Sequence, residues 1–356
     1  MEQDAFSGRV FIMSFLLSLL VILIHAVNLA DSNVILETTV REAIQLSGRA
    51  DPGMWIENLF SNTLGQMAVP GFFMISGYLF FRTLHNFREI GDKWRRRFWS
   101  LLVPFGAWNV ILYCMYGVMG KAAFTLQNLS SAAVHYTYNP TFWYLYQLIL
   151  LTVLAPVFYL LLRRLPTAVF VMLGALILIY TMWDLPEINE DAIFYYFVGA
   201  FGARFCRDVV ECSSPDGKVC TCNAAIIATM ALTIGVCMWL GVQGTITGNI
   251  GLWVLSRVLE RSAMVLLLWF LLCMFHLPQV RDFMKNGFFL YGVHYPLIKM
   301  VNLILSLCRI DLTEHAVLAL MVYFAIPVLS VAVTCFLKKI LGRYLPMVWR
   351  ILSGGR

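Results

Sequence analysis

Apolar residues fall in long unbroken runs separated by short clusters of charge, and that pattern organises the whole chain. The runs from Phe11 to Val27 and from Gln66 to Phe81 approach the roughly 17 to 25 residues that a helix needs to cross a hydrocarbon core. Gaps between charges mark ten candidate spans, at 11–28, 66–82, 98–119, 142–162, 167–183, 191–205, 224–242, 261–277, 287–307 and 315–337. Residues 243–260 leave room for a further half-helix or an interfacial segment, and a helix from Met54 is expected to run on into the second span. The pattern predicts an all-α integral membrane protein, a bundle of about ten transmembrane helices in one membrane-embedded domain over residues 1–356.

Composition agrees, since 60% hydrophobic residues, 13% charged residues and a mean hydropathy of +0.76 exclude a water-soluble globule. The formal net charge of +6 does not point to nucleic acid, because the basic residues sit between apolar runs, where lipid topology accounts for them. Membrane lipids are the expected surroundings.

Basic residues also set the predicted orientation. The junction 82–97 holds Arg82, Arg88, Lys93, Arg95, Arg96 and Arg97 against Glu89 and Asp92, so it is predicted cytoplasmic. Arg163 with Arg164, then Arg204, Arg207 and Lys218, then Arg281 and Lys285, then Lys338, Lys339 and Arg343 mark every second junction after it. Both termini are therefore expected inside. His25, fourteen residues beyond Phe11, is expected about 21 Å along an outward-running helix, in the outer half of the membrane.

A histidine within an apolar helix is costly and is a functional candidate by default. His25 has two readings, a general base whose neutral imidazole accepts a proton, or a hydrogen-bonding partner of a neighbouring helix. Lys93, Arg95, Arg96 and Arg97 suit phosphate oxygens, and the same residues also read as a topology signal. Ser76 and Tyr78 flank Gly77 in ISGY; they are candidates for a substrate tunnel, and Ser76 also reads as a packing residue because no base adjoins it in sequence. Trp143, with Tyr144 and Tyr146, reads as interface anchor or substrate-stacking surface. His294, seven residues past Gly287, is expected to line the tunnel or to hold Tyr291 and nearby backbone, far in depth from His25. Cys206, Cys212, Cys220 and Cys222 lack paired CxxC knuckles, so no metal site is predicted. Reduced thiols are expected in that loop, and the cysteines within spans read as small packing residues.

Five segments share one further property. AVPGFFMISGYLFF from Ala68 to Phe81, VILIHA from Val21 to Ala26, FWYLYQLIL followed by Pro156, FYYFVGAFGARF from Phe194 to Phe205 and FLYGVHYPLI from Phe289 to Ile298 make the sequence resemble the acyltransferase 3 family, in order and over nearly the whole chain. The resemblance implies a ten-helix, multi-pass plasma-membrane O-acyltransferase. It implies acetyl-CoA or another acyl-CoA as donor substrate, and a hydroxyl of a cell-surface or exported glycan as acceptor. It also implies that His25 is the essential residue and that Arg95 to Arg97 are the family's basic cluster before the third helix. Two positions depart from the family pattern. Ser14 stands where an arginine or lysine usually precedes the histidine by eleven residues, and Thr141 stands where a histidine often precedes Trp143 by two. A transporter or import module, or an inactive partner subunit, on the same scaffold is the alternative reading. Nothing in the pattern bears on oligomeric state.

Overall fold

The computed structural model describes residues 2–27, 52–183, 188–211, 221–275, 277–312 and 315–355, apart from the side chains of residues 2–4, 52 and 221–223. Among these residues there are helices and no strands. In chain order the α-helices are α1 (Glu2–His25), α2 (Pro52–Asn58), α3 (Ala68–Arg82), α4 (Glu89–Arg97), α5 (Val103–Val118), α6 (Leu126–Val134), α7 (Trp143–Val153), α8 (Ala155–Arg164), α9 (Thr167–Tyr180), α10 (Glu190–Phe205), α11 (Arg207–Glu211), α12 (Thr221–Thr247), α13 (Ile250–Met274), α14 (Gly287–Leu307), α15 (Ala316–Tyr344) and α16 (Pro346–Leu352). The junction 28–51, expected as a long outer loop, lies outside the described residues.

Helix falls on every predicted span, yet six helical rods among the described residues are long and apolar enough to cross a membrane: Ala5–His25, Gly53–Arg82, Glu89–Val118, Ala224–Thr247, Asp282–Leu307 and Ala316–Tyr344. The expected ten therefore stand at about six, or seven if α7 and α8 together make one broken span. The missing spans have physical causes. The chain bends by 53° between α7 and α8, where Pro156 sits in the first turn of α8 without an N–H to extend the preceding helix. Helix α13 is long but polar on one side, with Arg257 paired to Glu260 at 3.0 Å and Arg261 facing Asp191 at 3.6 Å. Helix α9, of 14 residues, is short for a crossing. Polar junctions supply helix starts: the Asn189 and Asn249 side chains accept from the Ala192 and Leu252 amides at the heads of α10 and α13. As expected, the helix beginning near Met54 continues into the second span, through a π-helical turn at Leu59–Leu64.

Packing divides the chain into two units. One contains Met1–Met13, Val69–Phe98 and Tyr144–Val280; the other contains Ser14–Ala68, Trp99–Trp143 and Arg281–Arg356. In the first, α3 and α10 meet backbone to backbone through their motif glycines. A Cβ at Gly77 would lie 2.4 Å from the Tyr196 carbonyl oxygen, and one at Gly199 would lie 2.1 Å from that of Met74. Glycine is required at both positions because lipid-embedded helices bind one another chiefly by close packing. Helix α12 is the least covered of the apolar rods, with 11% of its apolar window buried against 61% for Gly53–Arg82, and it suits a lipid-facing position.

In the second unit the core gathers Ile22, Leu23 and Ala26 from the α1 end, Leu290 and Ile298 from α14, and Tyr323 and Ile326 from α15. Trp108 of α5 closes on Gly292 of α14, where a Cβ would lie 2.3 Å from the indole. The indole N–H donates to the Leu352 carbonyl at 3.0 Å and so fixes α16.

Candidate active site

Helix α1 ends at His25, and the following Ala26 amide turns back to the Leu23 carbonyl at 3.2 Å. The His25 ring is accessible on one side. On the other it packs against His294, ring centroids 5.6 Å apart and planes inclined by 38°, with Tyr295 edge-on at 6.1 Å. The expectation that much of the membrane depth separates the two histidines is therefore overturned. Depth was counted for His294 from Gly287, but a 3-10 turn at Asp282–Asn286 starts the helical rod five residues earlier. Twelve residues past Asp282 is about 18 Å along the rod, close to the depth expected for His25.

His294 is wholly buried, 0% exposed. Its Nδ1 lies 2.6 Å from the Tyr291 carbonyl oxygen. A carbonyl only accepts, so Nδ1 carries the proton and, in the neutral ring, Nε2 carries the lone pair. That Nε2 is buried and has no hydrogen-bond partner among the described residues. Pro296, inside α14, has no N–H for the Gly292 carbonyl and loosens the backbone around this turn.

A chain of hydrogen bonds runs back from His294. The Tyr291 hydroxyl donates to the Thr141 carbonyl, and the Thr141 hydroxyl donates to Asn139 Oδ1 at 2.7 Å. The rings of Phe105, Phe142 and Tyr291 stack alongside, with centroids 6.0 and 5.5 Å apart. Thr141, noted in the sequence as the place of an absent histidine, thus holds the tyrosine whose carbonyl fixes His294. Asn139 Nδ2 and both polar side-chain atoms of Asn109 are buried without partners among the described residues. Lys299, one turn beyond Tyr295, places its ammonium 5.2 Å from that ring. Asn109, Asn139 and Lys299 were not anticipated. Buried asparagines in apolar runs were the available signal, since an amide in lipid is expensive for the same reason as a histidine.

The other predicted residues lie in the first unit, apart from Trp143, which belongs to the second. Arg95 and Arg96 are exposed and Arg97 is half-buried; none of the three has an ion-pair partner among the described residues. Lys93 is engaged elsewhere, donating to the Phe80 carbonyl and to Thr83 Oγ1, the latter at 2.9 Å. Ser76 is half-buried and has no base beside it. Trp143 is half-buried at the head of α7. Tyr144, expected as an interface anchor, is instead a core residue packed on Phe73 at 4.8 Å.

Tyr78 belongs to a charge cluster. Its hydroxyl donates to Glu211 at 2.9 Å, Arg82 clasps both carboxylate oxygens at 2.7 and 3.0 Å, and Arg207 adds a contact at 2.8 Å. Arg9 donates to the Glu211 backbone carbonyl at 2.6 Å. Hydrogen bonds from Arg82 first, and from Tyr78 and Arg207, draw the Glu211 carboxyl down to about 2.

Cys212, Cys220 and the Cys222 side chain lie outside the described residues, and Cys206 is a half-buried free thiol. The reading of span cysteines as free packing residues fails for Cys273, which is disulfide-bonded. Hydropathy marks a cysteine as buried and carries no information on which second thiol the fold brings within bonding distance.

Comparison with known proteins bears on the whole arrangement. No curated protein and no solved structure matches the chain. The acyltransferase 3 family model, described as an acyltransferase domain, matches residues 12–339. That stretch holds His25, the Arg95 to Arg97 cluster, Thr141 and His294, and with a match over most of its length the chain belongs to the acyltransferase 3 family, a membrane acyltransferase with several apolar crossing helices.

Proposed function

We propose that the protein is a plasma-membrane O-acyltransferase that moves a short acyl group, acetyl foremost, from acyl-CoA to a hydroxyl of a cell-surface or exported glycan. The observation that carries this reading is the contact of an accessible His25 ring with a buried His294 of fixed tautomer. His25 accepts the acceptor hydroxyl's proton as the oxygen attacks the thioester carbonyl. The tetrahedral intermediate collapses by breaking the carbon–sulfur bond, and the imidazolium returns the proton to the departing thiolate. Such base catalysis contributes about 10²- to 10⁴-fold. His294 backs the ring and keeps it from rotating away, while the nearby Lys299 ammonium favours negative charge developing on the thioester oxygen.

Arg95, Arg96 and Arg97 are read as cytoplasmic cations that hold the donor's phosphates, because guanidinium forks match phosphate oxygens and these three have no carboxylate partner among the described residues. The test is transfer of labelled acetyl-CoA in proteoliposomes carrying candidate glycan acceptors. Wild type is expected to consume donor and label the acceptor, and His25→Ala to fall at least about 10²-fold. A wild type that consumes no donor with any acceptor contradicts the enzyme reading. Equal activity of the two proteins contradicts the role of His25.

A further inference from the structure

We infer that Ser61 is a positioning residue for His25, gripping the last turn of α1 through a directed hydrogen-bond chain that begins at Tyr323. The inference rests on the reading of His25 as the base. Ser61 stands within the π-helical turn Leu59–Leu64, and Ser61 and Tyr323 are 1% and 0% exposed. Ser61 Oγ lies 2.9 Å from the Leu23 carbonyl oxygen and 2.7 Å from the Tyr323 hydroxyl. The carbonyl can only accept, so the single hydroxyl proton of Ser61 goes to Leu23, and Tyr323 must be the donor to Ser61. The order of the chain is Tyr323 to Ser61 to Leu23.

Leu23 lies two residues before His25, and its carbonyl is among the last four of α1, which lack the full set of intrahelical donors. The Ser61 bond supplies one at the place where fraying would release the ring. The π-helical turn is seated firmly enough to do so: a Cβ on Gly65 would lie 2.7 Å from Ile24. Widened turns of this kind recur at functional sites because they displace side chains from regular helical positions. Leu23 and Tyr323 share their apolar cluster with Leu290 and Ile298, which stand four residues before and after His294 on α14. The same packing that receives the Ser61 grip therefore carries the partner ring, and the grip sets how the two rings meet.

The test uses the full-length protein in proteoliposomes, with steady-state acyl transfer and peptide-resolved carbethoxylation of His25 by diethyl pyrocarbonate, the half-buried His135 serving as a control. Since small misplacements of a reacting group cost up to about 10²-fold, Ser61→Ala is expected to lower kcat by about ten- to a hundredfold and to leave both KM values within about twofold. Ser61→Thr keeps the hydroxyl and is expected to recover kcat to within about threefold of wild type. Tyr323→Phe leaves the Ser61–Leu23 bond in place and is expected to cost less than Ser61→Ala. In Ser61→Ala the His25 carbethoxylation rate is expected to rise about threefold or more as the ring leaves His294, with His135 unchanged.

Wild-type kcat and wild-type His25 reactivity in folded Ser61→Ala overturn the inference, as does a failure of Ser61→Thr to recover activity, or a larger loss in Tyr323→Phe than in Ser61→Ala. If Ser61→Ala yields no folded protein, Tyr323→Phe decides by the same two readouts, and no change in either overturns it. If wild type transfers no acyl group, the functional reading falls, and the carbethoxylation rates alone decide the positioning role.

Discussion

Two polar clusters interrupt the apolar interior, and they are built in opposite ways. Around Glu211 the acid's oxygens are all engaged: Arg82 takes both carboxylate oxygens, Tyr78 and Arg207 add donors, and Arg9 takes the backbone carbonyl, its own Nε being buried without a partner among the described residues. Around His294 the bonding stops short: among the described residues its Nε2 has no partner, nor has Nδ2 of Asn139 at the end of its hydrogen-bond chain. A carboxylate whose oxygens are all engaged ties α11 to α3. An unsaturated cluster costs about 1–3 kcal/mol for each buried group left without a partner, and families keep such groups where chemistry uses them. Under the proposed function the first cluster serves stability and the second reaction.

That assignment breaks if the expected effects exchange places. The largest is expected from His294→Phe, which keeps a ring of similar size and removes the lone pair; kcat is expected to fall about ten- to a hundredfold with the melting temperature little changed. A variant that melts much earlier but turns over normally would make His294 a packing residue. Next comes the triple change Arg95→Ala, Arg96→Ala and Arg97→Ala, expected to raise the donor KM about tenfold and leave the acceptor KM alone, measured by varying each substrate in turn. Lys299→Met follows, with an expected loss of about fivefold in kcat from the missing ammonium.

Glu211→Gln is expected to change kcat per folded protein by less than about twofold while lowering stability by about 1–3 kcal/mol, read from thermal unfolding in detergent. The same residue gives a pH signature. Its carboxyl is drawn from the ordinary 4.5 down to about 2. The stabilisation it provides is therefore complete above the ordinary carboxylate range and is lost as pH falls through about 2. Between pH 5 and pH 2 wild type is expected to lose more thermal stability than Glu211→Gln, and parallel curves would show that the cluster contributes nothing.

How much of this was legible in the sequence differs between the two clusters. Helix falls on every apolar run, the family motifs lay in those runs, and His25 stood out by its cost in lipid, while polar or short helices such as Glu89–Arg97 and Arg207–Glu211 gave no such signal. The glycines of ISGY and of FYYFVGAFGARF were visible, but that Gly77 and Gly199 press on each other's helices depends on a crossing point that one-dimensional pattern does not encode. The count of ten spans is not confirmed, since about six rods among the described residues pass as crossings and a hydropathy run does not register the bend between α7 and α8. The pairing of His25 with His294 was hidden by a few residues of helix, since the 3-10 turn at Asp282–Asn286 carries no apolar signal and yet sets the depth of everything after it. Ser61 gave no sign at all, because it stands in the mixed stretch ENLFSNTLGQ before the predicted span, where a serine looks the same whether it grips its own helix or a neighbour's.

The central claim is that His25 and His294 act as one unit, and the most direct measurement is a double-mutant cycle on kcat with His25→Ala, His294→Phe and the combined variant. If the pair is one device, the combined variant should lose no more than about twofold beyond His25→Ala alone, since once the base is gone its backing ring has nothing left to hold. Losses that multiply across the two changes would mean that the rings touch without working together, and the account would fail at its centre.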